Sequence, residues 1–329
     1  MIGTESFKGK EIKKVLEGKK FLLKKIEFFD PDVEEEYSKL TEFRGNPRVV
    51  LPLDEAAIAD SDIVFLASDK KTNRMYGKLA AEKKFLAIDL NETFNEEKKV
   101  PVVVAGVNHN TLLKKKPSLI ANPHPVTIVL AHFLNVILKK FHPKKIAAFV
   151  LQPASAFEDA GIEELADQSF AVLNSLSASK KTFKKQVAFN LCSDITPVDK
   201  EGFSSTEKQI LSETMSVLDI RDLPLSLAII QAPVFHTYAI MIHLELEERT
   251  DIPTLSDLFK KSTYFKVASP SSSRPVSCLE IAGKDEIYIG QIKKENTFPN
   301  KYWVWTVTDN LTRGSALNAY EILESSHLI

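Results

Sequence analysis

The chain has 329 residues, with 43 Lys+Arg against 44 Asp+Glu, 44% hydrophobic residues and two cysteines. A net charge of -1 gives no electrostatic footprint for nucleic acid, and two distant cysteines exclude a disulfide scaffold or a Cys-based zinc site. The longest apolar stretch, Val126 to Leu138, is broken by His132 and Asn135 and is too short to span a bilayer. Met1 leads almost directly into Gly3-Thr4-Glu5-Ser6, without the basic start and apolar core of a signal peptide, so a cytoplasmic location is expected. The many lysine pairs alternate with glutamates, the pattern of a solvated face.

In chain order, Lys10 to Leu22 predicts an amphipathic helix with Ile12, Val15, Leu16, Phe21 and Leu22 on one side. Lys25 to Phe29 predicts a short strand ending at Asp30-Pro31. Ile63 to Ala67 is continuously apolar, as a parallel strand covered on both faces should be. Thr72 to Lys83 predicts a helix, Phe85 to Asp89 a strand, and Val100 to Ala105 another. Strands alternating with helices predict an α/β domain with a doubly wound parallel sheet.

The pattern changes at Ile120-Ala121-Asn122-Pro123. Pro125 to Lys140 predicts a long helix opening on proline, which suits a first helical position. Lys145 to Leu151 follows as a strand and Gly161 to Ser177 as a helix. Val187 to Leu191, Ser226 to Ile230, Ala239 to Leu246, Glu286 to Ile292 and Trp303 to Thr308 predict further strands. Leu311 to Leu328 predicts a closing helix. The second domain is therefore expected to be α+β on a mostly antiparallel sheet.

Gly3-Thr4-Glu5-Ser6-Phe7-Lys8-Gly9 stands before a helix, where a glycine-rich phosphate turn belongs. It keeps the outer glycines but has Ser6 in the middle place, and only Met1 and Ile2 precede it. An ordinary loop and helix start would give the same residues.

Eight short stretches extend the signal: Gly3 to Ile12, Val100 to Asn108, Ile120 to Thr127, Gln152 to Leu165, Phe189 to Ile195, Pro233 to Phe235, Gly283 to Gly290 and Asp309 to Ala319. In order and spacing they resemble the aspartate-semialdehyde dehydrogenase family across nearly the whole chain. The resemblance implies a dinucleotide-binding domain of residues 1–121 and 311–329, and a dimerisation domain of residues 122–310 in a homodimer. It also implies a cofactor site from Gly3, Ser6, Gly9, Asp30, Ser68, Asn310 and Gly314. Asp30 lies where a carboxylate takes ribose hydroxyls. With Asp32 it would repel a 2′-phosphate, so the expectation is weak or absent dinucleotide binding with NAD preferred to NADP.

The departures fall on the family's chemistry. Members carry N-P-N-C-T at the domain junction, where a cysteine thiolate attacks the aldehyde, hydride passes to nicotinamide and phosphate resolves the thioester. Here Asn122-Pro123-His124-Pro125-Val126-Thr127 puts Pro125 in the cysteine place. The substrate-gripping arginine corresponds to Gln231, which cannot supply its charge. The catalytic histidine corresponds to Tyr238, a phenol too weakly basic for work near neutral pH. The lysine of E-E-x-K corresponds to Gln209, and a phosphate-binding arginine to Asn95. Gln152, which in the family sits against the nucleophile, is retained. The resemblance therefore implies a cysteine-less relative with no catalytic residue in that reaction, whose former site positions are Pro125, Gln152, Gln231 and Tyr238. Two other readings stand beside it. One is different chemistry using His124, His236 or Tyr238, with His236 expected on the same strand face as Tyr238; the other is an active semialdehyde dehydrogenase with an atypical nucleophile. No metal site is expected, because His236 and His243 fall on opposite strand faces.

Overall fold

A computed structural model describes residues 1–21, 23–35, 39–269 and 276–326. The chain divides into two compact units: residues 1–128 with 216–218 and 314–329, and residues 129–215 with 219–313. The boundary falls past the expected junction at 121/122, and the return to the first unit begins at Gly314 rather than Leu311. One unbroken apolar helix runs through the junction, so the division cannot coincide with the change in sequence pattern.

The first unit contains α1 (Phe7–Gly18), β1 (Phe28–Phe29), β2 (Lys39–Phe43), β3 (Asn46–Leu51), α2 (Glu55–Ala59), β4 (Ile63–Leu66), α3 (Lys70–Lys83), β5 (Leu86–Asp89), α4 (Asn110–Lys115), β6 (Leu119–Ala121) and the start of α5 (Pro125–Leu138). β4, β5 and β6 are parallel neighbours, and β1 runs parallel to β3. Ile2 joins the two sets, bridging Phe29 on one side and Leu66 on the other, so the central strand is reduced to one bridging residue. α1 starts earlier than the apolar pattern predicts because Ser6 caps it, accepting the Gly9 N–H at 3.0 Å. The predicted helix end at Leu22 lies outside the described residues.

The expected strand Val100 to Ala105 is a single bridge, Val102 to Ala121. Side-chain amides take the places of ladder partners. Asn108 accepts the Val104 N–H at 2.8 Å and donates to Val102 O, while Asn318 accepts the Ala105 N–H at 3.0 Å and donates to Val103 O. The expected strand from Lys25 shrinks to Phe28–Phe29. The β2–β3 hairpin turns on Arg44 (φ 52) and Gly45 (φ 72), two left-handed residues as in a type I′ turn.

The second unit holds the rest of α5, then β7 (Pro143–Gln152), α6 (Glu158–Leu173), β8 (Cys192–Ser193), most of α7 (Ser205–Leu218), β9 (Leu225–Gln231), β10 (Tyr238–Leu246), α8 (Ile252–Lys260), β11 (Phe265–Val267), α9 (Cys278–Ile281), β12 (Ile287–Lys294) and β13 (Lys301–Thr308). Among the described residues seven strands run in the order β11-β12-β13-β10-β7-β9-β8, with parallel pairs at β11–β12 and β7–β9 and antiparallel pairs between the others. The predicted strand Val187 to Leu191 is a turn. Gln168 Oε1 accepts the Val187 and Ala188 N–H groups at 2.7 and 3.1 Å, and Phe189 is left-handed at φ 57. α7 opens on a reciprocal cap between Ser204 and Glu207. The chain closes with a π turn, Thr312–Ala316, and α10 (Leu317–Ser325), which packs with α1 in the first unit's core. The predicted helix end at Leu328 lies outside the described residues.

His132 of α5 is fully buried against Tyr264, ring centroids 4.0 Å apart. Burial, assisted by the nearby Arg313 charge, lowers its pKa from 6.5 to about 3. Between those values the unfolded chain binds a proton that the folded chain refuses, so stability falls as the pH drops through this window. The expected slope from this group is about 1.4 kcal/mol per pH unit. Denaturant unfolding at pH 7, 5.5 and 4.5 should show a flatter acid limb for His132→Leu; equal slopes would refute the assignment.

Candidate functional site

Alternation along β7, β9 and β10 turns Val150 and Gln152, Ile229 and Gln231, and Tyr238 and Ile240 into the interior. Gln152 and Gln231 are register partners, and the Ala239–Leu151 pair sets Tyr238 beside Gln152. The three side chains, at most 3% exposed, bond to one another. Gln152 Nε2 donates to Gln231 Oε1 at 3.1 Å, the Tyr238 hydroxyl donates to Gln152 Oε1 at 3.3 Å, and Gln231 Nε2 donates to the carbonyls of Gln152 and Ala232 at 3.1 and 3.3 Å. All three groups are neutral, and their polar atoms are spent on each other and on the adjoining backbone.

The strand alternation that would put His236 on the face of Tyr238 does not reach it. Thr237 between them is left-handed at φ 75, which breaks the strand alternation, and β10 begins only at Tyr238. Asn310 is likewise a support of this region: its Oδ1 accepts the Thr237 N–H at 3.0 Å, and its Nδ2 donates to Ser155 Oγ at 3.1 Å. Gln209 donates to Glu213 at 2.8 Å along α7. Among the described residues, no group of three or more His, Cys, Asp or Glu side chains could hold a metal ion.

In the first unit, Pro125 opens α5, and His124 Nδ1 accepts the Val126 N–H at 3.2 Å. The imidazole thereby caps the helix start. Asn122 is fixed by Asn318, whose Nδ2 donates to its Oδ1 at 2.7 Å.

The glycine turn is built as a dinucleotide turn requires. Gly3 has φ 79, and a Cβ there would lie 2.5 Å from Ser68 N; one on Gly9 would lie 2.0 Å from Gly3 O. Ser6 Oγ stands 2.6 Å from Ala67 O and occupies the Gly9 N–H, one of the donors an anion would otherwise meet. Ser68 donates its N–H to Asn73 Oδ1 at 3.1 Å, and its carbonyl accepts from Asn91 Nδ2 at 2.6 Å. The backbone thus fits a dinucleotide diphosphate with fewer free donors than an all-glycine turn. Asp30 is not a bare carboxylate: it accepts the Glu5 N–H at 3.2 Å and lies 3.8 Å from Lys39 Nζ. That cation offsets the repulsion expected against a 2′-phosphate, so the preference for NAD over NADP loses its basis. Lys39 gave no sequence signal, because only the β2–β3 hairpin brings it to Asp30.

Comparison with known proteins agrees with both units. Residues 1–115 match the semialdehyde dehydrogenase NAD-binding domain, and residues 134–313 match the semialdehyde dehydrogenase dimerisation domain. Aspartate-semialdehyde dehydrogenase of Shewanella violacea is 25% identical over 325 residues, covering 98% of this chain and 96% of that protein. Aspartate-semialdehyde dehydrogenase 2 of Vibrio cholerae has the same identity and coverage. Among solved structures, aspartate semialdehyde dehydrogenase II of Vibrio cholerae superposes with a TM-score of 0.91 at 24% identity, covering 98% of this chain and 96% of that one. The Candida albicans aspartate semialdehyde dehydrogenase with NADP gives 0.69 at 13% identity, covering 100% and 98%. With both of its domains matched in order, the chain belongs to the semialdehyde dehydrogenase family.

Proposed function

We propose that this chain is a family member without the phosphate-dependent semialdehyde dehydrogenase reaction, retained as a ligand-binding homodimer. The observation that carries this reading is the buried, hydrogen-bonded Gln152–Gln231–Tyr238 network. Buried polar groups satisfied by one another have little left to offer a substrate carboxylate, and none of the three brings a charge. At the start of α5, Pro125 supplies no nucleophile, and His124 Nδ1 is committed to the cap. Four positions where family members have a thiolate, an arginine, a histidine and a lysine are here Pro125, Gln231, Tyr238 and Gln209. Dinucleotide binding is retained but weak, because Ser6 takes one of the turn's donors.

The homodimer belongs to the same reading. The face of the seven-stranded sheet opposite Gln152 carries Phe149, Met241, Trp303 and Trp305, and Phe149 is 41% exposed. Phe149 and Trp303 stack with centroids 6.4 Å apart. An open aromatic face of this kind favours a partner, and a second copy fits the description of the matched domain. Light scattering should give a dimer that Met241→Asp converts to monomer; a monomeric parent protein would refute it.

Purified protein should show no phosphate-dependent reduction of NAD or NADP with aspartate semialdehyde. Pro125→Cys should not restore turnover, since the carboxylate grip and the base are still missing. It should instead give a thiol that iodoacetamide alkylates below the usual thiol pKa, because the helix N-terminus stabilises the thiolate. Turnover in the parent protein, abolished by His124→Ala, would overturn the proposal. Gln231→Leu should cost roughly 1–3 kcal/mol in denaturant unfolding, because it leaves the Gln152 amide unpartnered. No measurable loss would mean that the network does not hold the region together.

A further inference from the structure

Lys8 is misplaced by ordinary helix electrostatics. It is the second residue of α1, so its charge belongs to the end of the helix that repels cations. Its side chain is nevertheless only 20% exposed. Nζ donates to Leu90 O at 2.8 Å and lies 3.4 Å from Glu92 Oε1. Both acceptors stand on the loop after β5, at the carboxyl edge of the parallel strands, where doubly wound sheets receive ligands. Glu92 reaches this position from a left-handed backbone, φ 55, uncommon for a residue with a Cβ. Asn91 ties the same loop to Ser68 O at 2.6 Å, and Ser6 ties the glycine turn to Ala67 O. The other carboxylate beside Lys8, that of Asp89, is already held by the N–H groups of Asn91, Thr93 and Phe94 and by the Asn73 amide.

We infer that Lys8 is the phosphate-receiving group of the first unit, and that Glu92 occupies it when no ligand is bound. This rests on the reading that the unit still takes a dinucleotide weakly. The ligand class is a nucleoside diphosphate or dinucleotide, whose diphosphate brings two charges against the one on Glu92. Lys8 restores a donor that Ser6 withdraws from the turn, and exchange with Glu92 holds the affinity down. Glu92 is thus an internal competitor rather than a stabilising partner.

Calorimetry at low salt with NAD, inorganic pyrophosphate and adenosine tests this on the full chain and on Lys8→Met, Lys8→Arg and Glu92→Gln. Lys8→Met should weaken NAD and pyrophosphate about tenfold, the scale of one charge-assisted hydrogen bond. Lys8→Arg should keep most of the affinity. Glu92→Gln should raise affinity several-fold, and adenosine should respond to none of the substitutions. Circular dichroism melts confirm that each variant is folded. NAD binding unchanged or tighter in Lys8→Met would overturn the inference, leaving Lys8 as a tether while the dinucleotide reading survives. No binding of NAD or pyrophosphate by either the parent protein or Glu92→Gln would overturn both.

Discussion

A buried backbone group must find a partner, and in this protein side-chain amides supply many of them. Asn318 holds Val103, Ala105 and Asn122 in one stroke, Gln168 gathers Ser179, Lys185, Val187 and Ala188, and Asn73 spans Ser68 and Asp89. Each amide stands where a regular ladder would otherwise run, and each permits a loop to enter the interior without stranding an N–H or a carbonyl. The Gln152–Gln231–Tyr238 network follows the same rule at the sheet's inner edge. What differs there is that the amides partner each other.

This dependence also explains which parts of the fold the sequence revealed. Long elements with an unambiguous period, such as α3, α5, β7 and β10, were legible because packing repeats along them. Val100 to Ala105 and Val187 to Leu191 were misleading for one reason: β-branched and apolar residues promised ladders, while Asn108, Asn318 and Gln168 took the hydrogen bonds. Nothing local to those segments announces a partner as distant as Asn318. α7 was legible in its Ser204–Glu207 cap but was masked by the polar residues of its outer face.

The candidate site divides the same way. Motif order singled out Gln152, Gln231 and Tyr238, but could not show that the three are hydrogen-bonded together. Face assignment by alternation failed at His236 because one left-handed residue, Thr237, resets the register. Lys39 and Glu92 were out of reach for a different reason: each meets its partner across a loop whose path only the folded chain defines. Charge pairs of that kind leave no periodic trace.

The narrow seam at Ile2 has a consequence for how the first unit holds together. β1, β2 and β3 on one side and β4, β5 and β6 on the other are joined by hydrogen bonds around this residue: Met1 N to Glu27 O, Phe29 N–H to Met1 O, and Gly3 and Thr4 N–H to Phe29 O, against Ile2 N–H to Phe65 O and Ala67 N–H to Ile2 O. A full central strand would spread that load over several residues. Here the bonds of residues 1–4 carry it, so the two sets of strands are like plates on a single pin. The glycine turn is the continuation of that pin, and any ligand gripping the turn would also be clamping the plates.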